Sequence, residues 1–97
     1  ALELARDTGG GGDSAEFLTA VERNPDDHQA RFDLAMALYA EGSNEEAIDH
    51  LVEILRRARE WNDQAARKQL IQIFEALGPT DSDSVTGRRK MSAVLFS

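Results

Sequence analysis

Between Pro25 and Arg57 the apolar residues fall into two runs at helical spacing, separated by a glycine. In the first run Ala30, Leu34 and Leu38 share one face, with Ala35 beside them and Ala37 flanking, while Phe32, Met36 and Tyr39 form a second stripe rotated away from it. This predicts a helix that is apolar on two sides. Asp26 with Gln29 reads as a capping box at its start, and Gly42 supplies the left-handed residue on which helices commonly end. Ser43 with Glu46 opens the second run, which would bury Ala47, Ile48, Leu51, Val52, Ile54 and Leu55 and turn Glu45, Asp49, Glu53 and Arg56 outward. The two runs together predict a helical hairpin, and the rest of the chain is organised around it.

Upstream, residues 1–7 are helix-compatible but too short to be stable alone, so they read as the end of an earlier helix. The glycines at 9–12 form a break, which places a domain boundary between residues 1–12 and 13–97. Ala1 in place of Met is what a fragment or a processed chain would carry. Asp13 with Glu16 caps a helix presenting Phe17, Ala20 and Val21, and Asn24-Pro25 stops it, because the residue before proline is steered out of helical geometry. Downstream, Asn62 is the expected cap of a helix to Leu77 that buries Ala66, Leu70, Ile73, Phe74 and Leu77, with Trp61 stapled onto Ala66. Gly78-Pro79 ends it. Thr80 with Asp83, or Asp81 with Ser84, caps a last helix to about Phe96 whose first half offers only Val85 for burial. Leu95 and Phe96 either close the end of the stack or form an apolar handle for a partner such as a chaperonin.

The helices repeat. A shift of 34 residues lays Phe17, Ala20 and Val21 on Leu51, Ile54 and Leu55, and a shift of 36 lays Ala30, Leu34, Leu38 and Gly42 on Ala66, Leu70, Phe74 and Gly78. With Leu34, Ala35, Leu38, Gly42, Ala47, Leu51 and Ile54 at these spacings after Asn24-Pro25, the chain resembles a tetratricopeptide repeat. It departs from that pattern at Arg31, where the family favours a large aromatic, and at Ile54, where it favours alanine. The expected fold is therefore all-α, a right-handed array of four to five helices in antiparallel hairpins.

A closer resemblance, over about residues 22–97, rests on the run from Asn24 to Arg57 and on the segments Trp61-Asn62-Asp63, Gly78-Pro79-Thr80-Asp81 and Gly87-Arg88-Arg89-Lys90-Met91-Ser92. These look like the C-terminal tetratricopeptide-like domain of bacterial thioredoxin-like co-chaperones, the chaperedoxin type. The resemblance implies a protein-binding role for unfolded or oxidised clients or a chaperone partner, beside an N-terminal thioredoxin-like domain of the same parent chain. The chain has no cysteine and no parallel-sheet pattern, so no redox activity carries over.

Charge narrows the partners. Residues 1–55 hold 13 acids and 3 bases and residues 56–97 hold 5 acids and 8 bases, for a net charge of -7. An acidic surface without a basic stripe or stacking aromatics argues against nucleic acid. No apolar run approaches the roughly 18 residues that span a bilayer, and the start lacks the pattern of a signal peptide, so the expectation is a cytoplasmic protein off the membrane.

Candidate chemistry is confined to surfaces. No nucleophile, base or cofactor loop converges, so no enzyme activity, cofactor or catalytic residue is expected. Glu46 and His50 stand at metal-ligand spacing, but they and His28 read as solvated, and no metal is expected. The candidate protein-binding groove is Gln29, Phe32, Met36 and Tyr39. A groove for a peptide carboxylate would present Lys, Arg and Asn, whereas a thioether and two aromatics suit apolar segments. The same stripe would equally serve as core against a neighbouring helix. Arg56, Arg57, Arg59, Arg67 and Lys68 bracket the central turn, either as a docking patch for an acidic partner or as cations at a helix C-terminus. The competing role is a structural module that orients or dimerises the parent protein without touching clients, and homo-oligomerisation is left open.

Overall fold

The computed structural model describes residues 14–96. They form α1 (Ser14–Arg23), α2 (His28–Ala40), α3 (Asn44–Arg57), α4 (Trp61–Leu77) and α5 (Ser82–Leu95), with no strand among the described residues. The all-α expectation holds. The helix end and glycine loop assigned to residues 1–12, and the cap at Asp13, lie outside the described residues.

The turns follow from local chemistry, with two shifts from expectation. Asp27, not Asp26, caps α2 by accepting from the Ala30 amide at 3.0 Å. Asp26 is used up in the Asn24-Pro25 turn, where its own amide donates to Asn24 Oδ1 at 3.2 Å. Gln29 does not reach back to the cap but donates forward to Asp33 at 3.0 Å. At the other end of α2, Gly42 takes a φ of +90° while its amide donates to Tyr39 and the Ser43 amide to Leu38. These two bonds satisfy the last carbonyls in a Schellman motif. Ser43 stands at the N-cap of α3 but makes no side-chain cap bond. Of the two caps that fit α5, Asp81 serves, accepting from Asp83 and Ser84 at 2.8 and 3.3 Å.

Burial centres on α3, which packs against α2, α4 and α5. Ala47, Ile48, Leu51, Ile54 and Leu55 are all buried, joined by Ala35 of α2 and by Ala66, Leu70, Ile73 and Phe74 of α4. Each such Leu, Ile or Phe contributes about 1.5–3 kcal/mol. A second, smaller core of Val21, Ala30 and Leu34 holds α1 to α2, with Phe17, Ala20 and Leu38 against it. Val52 and Leu77, expected in the core, lie half-buried at its edge.

The start of α4 corrects the expected cap. Asn62, Asp63 and Gln64 have φ/ψ of 50/49°, 56/45° and 61/34°, a left-handed turn that precedes the right-handed helix. Asn and Asp tolerate this region better than other side chains, yet a run of three costs on the order of 1–2 kcal/mol for each residue. Packing around Trp61 has to offset that strain.

The last helix was expected to be weakly held through Val85, but Val85 is exposed. Its first half instead buries Ser84 and Gly87. Small residues let the backbone come close: a Cβ on Gly87 would lie 2.7 Å from Phe74 Cε1 and 2.9 Å from Ile48 Cγ2. Arg88 reaches over the Phe74 ring at 5.7 Å, and Lys90 pairs with Asp49 of α3 at 2.6 Å. Met91 and Val94 complete the contact, while Phe96 is 86 % exposed and so does not close the stack.

Because Phe74 and Ile48 are themselves buried, they have little room to yield to an added methyl. Gly87→Ala is expected to destabilise by about 1–3 kcal/mol and lower Tm by several degrees in a thermal melt. An unchanged Tm would show that α5 is not seated through this close approach.

Candidate functional site

The α2 stripe is neither fully open nor fully core. Gln29 is exposed, whereas Phe32, Met36 and Tyr39 are each half-buried. Phe32 and Tyr39 lean on the main core, and Met36 belongs to neither core cluster. Their spacing on one side of α2 is the helical spacing of the sequence, and Schellman closure at Gly42 limits the stripe at Tyr39. Among the described residues no enclosed pocket lies over this face.

Trp61 extends the stripe. It is half-buried at the start of α4, with its ring centroid 5.7 Å from Phe32 at a tilted angle and 6.2 Å from His28 in an edge-on arrangement. Ring pairs of this kind are worth about 0.5–1.5 kcal/mol beyond their buried area. The spacing predicts Trp61 stapled onto Ala66; the structure adds a contact across to α2. The available signal was the placement of an aromatic at a helix start beside residues that favour a left-handed backbone.

The histidines are not the solvated pair expected. His28 is half-buried against Trp61, and its Nδ1 is buried without a hydrogen-bond partner among the described residues. His50 is half-buried with its Nδ1 3.4 Å from Arg31 Nη1. No group of three metal-ligating side chains forms among the described residues.

Arg31 itself is 8 % exposed, and its Nη2 donates to the Pro25 carbonyl at 3.1 Å. One of the two residues at which the chain departs from the repeat pattern thus ties the α1–α2 turn to α3. A guanidinium can only donate, so His50 Nδ1 must accept and its proton must sit on Nε2. Burial lowers the Arg31 pKa from its ordinary value, with Glu53 opposing. Burial, and then the charge of Arg31, lowers the pKa of His50, against the opposing acids Asp49, Glu46 and Glu53.

The five basic residues are largely engaged within the chain. Arg56 and Arg57 both hold Glu53, Arg57 at 2.6 Å, and Arg57 also pairs with Asp26 at 3.0 Å. The Arg56 hydrogen bond is the first cause that keeps the Glu53 carboxyl below the usual range. Arg59 donates to the Val94 carbonyl at 3.1 Å, near the C-terminus of α5, and Lys68 pairs with Asp63 at 3.0 Å. Arg67 is exposed, with no ion pair among the described residues. Solvent screens these exposed pairs, so they add little to stability.

Comparison with known proteins gives one family. A family model described as tetratricopeptide repeat matches residues 7–96. No curated protein and no solved structure matches the chain.

The burial of His50, with Arg31 beside it, sets a pH dependence. In the unfolded chain His50 takes up a proton near its ordinary pKa of 6.5, whereas the folded chain resists it. Stability is therefore full above that value and falls as the pH drops from about 7 to about 5. Urea midpoints at these two pH values should differ in the wild type and differ less in His50→Gln, whose amide oxygen can still accept from Arg31. Equal pH slopes in the two proteins would remove His50 as the cause.

Proposed function

Since the chain belongs to the tetratricopeptide repeat family, a family of non-catalytic modules that generally mediate protein–protein interaction, we propose that it binds apolar segments of unfolded or oxidised client proteins, or a chaperone partner, as the interaction module of a thioredoxin-like co-chaperone. The observation that carries this reading is the half-exposed stripe of Phe32, Met36 and Tyr39 on α2, flanked by Trp61 and edged by exposed Gln29. A thioether among aromatic rings adapts to varied apolar side chains. The resemblance over residues 22–97 supplies the co-chaperone context and the neighbouring thioredoxin-like domain. In that reading the protein works in the cytoplasm.

The basic residues contribute less to this reading, because Arg56, Arg57 and Lys68 already face carboxylates. An acidic partner would meet Arg67 first. The second reading, a module that orients or dimerises its parent protein, draws support from Phe32 and Tyr39, which lean on the main core.

Light scattering from a chemically unfolded test protein diluted into buffer separates the two. The chain at equal concentration should suppress the aggregation. Met36→Ser should weaken suppression at least about twofold with helicity near wild type, since Met36 lies outside both core clusters. Phe32→Ser and Tyr39→Ser should weaken it further, at some cost in Tm. Aggregation that proceeds unchanged beside the wild-type chain would favour the orienting role instead.

A further inference from the structure

Trp61 is the single tryptophan of the chain, and among the described residues it makes both ring–ring contacts, each with a residue of α2. The three residues that follow it are the only non-glycine residues with positive φ among those described. The coincidence has a mechanical meaning. A left-handed turn carries Trp61 away from the path that the right-handed helix beyond Gln64 would give it, and onto Phe32 and His28. The turn has its own ties, with Gln64 Nε2 donating to Glu60 at 3.4 Å and Lys68 pairing with Asp63 at 3.0 Å. Both are exposed, so neither locks it. Beside the backbone bond from the Trp61 amide to the Ala58 carbonyl at 3.0 Å, what holds the strained turn is the seat of the indole on α2 and the edge of the main core.

We propose that Trp61 is a built-in occupant of the α2 binding face, displaced when a large apolar side chain of a partner takes its place on Phe32. Displacement lets Asn62, Asp63 and Gln64 rewind into right-handed helix, extending α4 at its start and relieving the strain. The seated and displaced states differ by a small balance of ring packing against backbone strain, as bistable elements at binding sites do. The partner side chain has to match an indole in size and apolar character, which selects aromatic-bearing segments over small aliphatic ones. This rests on the reading of α2 as a binding face, but its test does not depend on finding a client.

The test uses the fluorescence of Trp61 in two double variants of the whole chain. Asn62→Gly with Asp63→Gly favours the left-handed turn, and Asn62→Ala with Asp63→Ala penalises it, so the ratio of seated to displaced Trp61 should differ between them by about tenfold or more for each residue replaced. The Ala variant is expected to show red-shifted emission, stronger acrylamide quenching and increased binding of 8-anilinonaphthalene-1-sulfonate, with helicity equal to or above wild type. The Gly variant should match the wild type or be better shielded. Identical emission and quenching in the two folded variants would overturn the proposal. So would an Ala variant that has lost its cooperative melt, if Trp61→Ala melts likewise, since the indole would then be core and not a displaceable occupant. If emission shifts as expected while neither the wild type nor the Ala variant suppresses aggregation, the displaceable tryptophan stands and the client-binding reading fails.

Discussion

Everything in this fold depends on α3 being buried on more than one side. Ile48, Leu51, Ile54 and Leu55 are all 2 % exposed or less, and three other helices pack against the element that carries them. A hairpin alone would cover one flank of α3 and leave the other to water. Closing the second flank requires α4 and α5, and so joins α2 to the two C-terminal helices through one helix. The surface ion pairs around it, Arg57 with Asp26 and Lys90 with Asp49, decorate contacts that apolar burial has already decided.

That constraint explains where the unusual residues stand. α5 can reach α3 and α4 only by bringing its backbone close, so small Ser84 and Gly87 are its buried positions and Val85 faces outward. Arg31 occupies a position where the repeat pattern favours an aromatic, and it substitutes polar ties to Pro25 and His50 for ring packing. A buried guanidinium is a poorer source of stability than an apolar side chain, and its Nε finds no partner among the described residues. The gain is a directional link between the α1–α2 turn and α3. Trp61 provides the corresponding link from α4 to α2, with a left-handed turn as its cost.

The candidate binding face inherits this economy. α2 has to serve the small core with Ala30 and Leu34, the main core with Ala35, and the remaining side with Phe32, Met36 and Tyr39. A helix with three apolar duties cannot bury them all within five helices, and the half-exposure of the third stripe is the result. Whether such a stripe binds partners depends on what competes for it, and the competitor nearest at hand is the chain's own indole.

How far this was legible depends on the range of the interactions. Periodicity located all five helices, because each apolar face repeats within its own element, and it named the core of α3 nearly in full. Glycine chemistry placed the ends of α2 and α4 at Gly42 and Gly78, since a positive φ is a local demand. Other features were invisible for a common reason. The cap moved from Asp26 to Asp27 because the preceding turn consumed a residue, and Gly87 and Ser84 mattered only once α5 lay against Phe74 and Ile48. His28, His50 and Arg31 left the surface because of neighbours 19 to 33 positions away, as the contacts Arg31–His50 and His28–Trp61 record. The sequence by itself determined the helices, their order, the apolar faces and the family pattern, all of which rest on spacing within about one or two turns. Only the tertiary structure decided which of those faces met, which polar side chains were trapped between them, and which three residues gave up right-handed geometry so that one tryptophan could reach its neighbour.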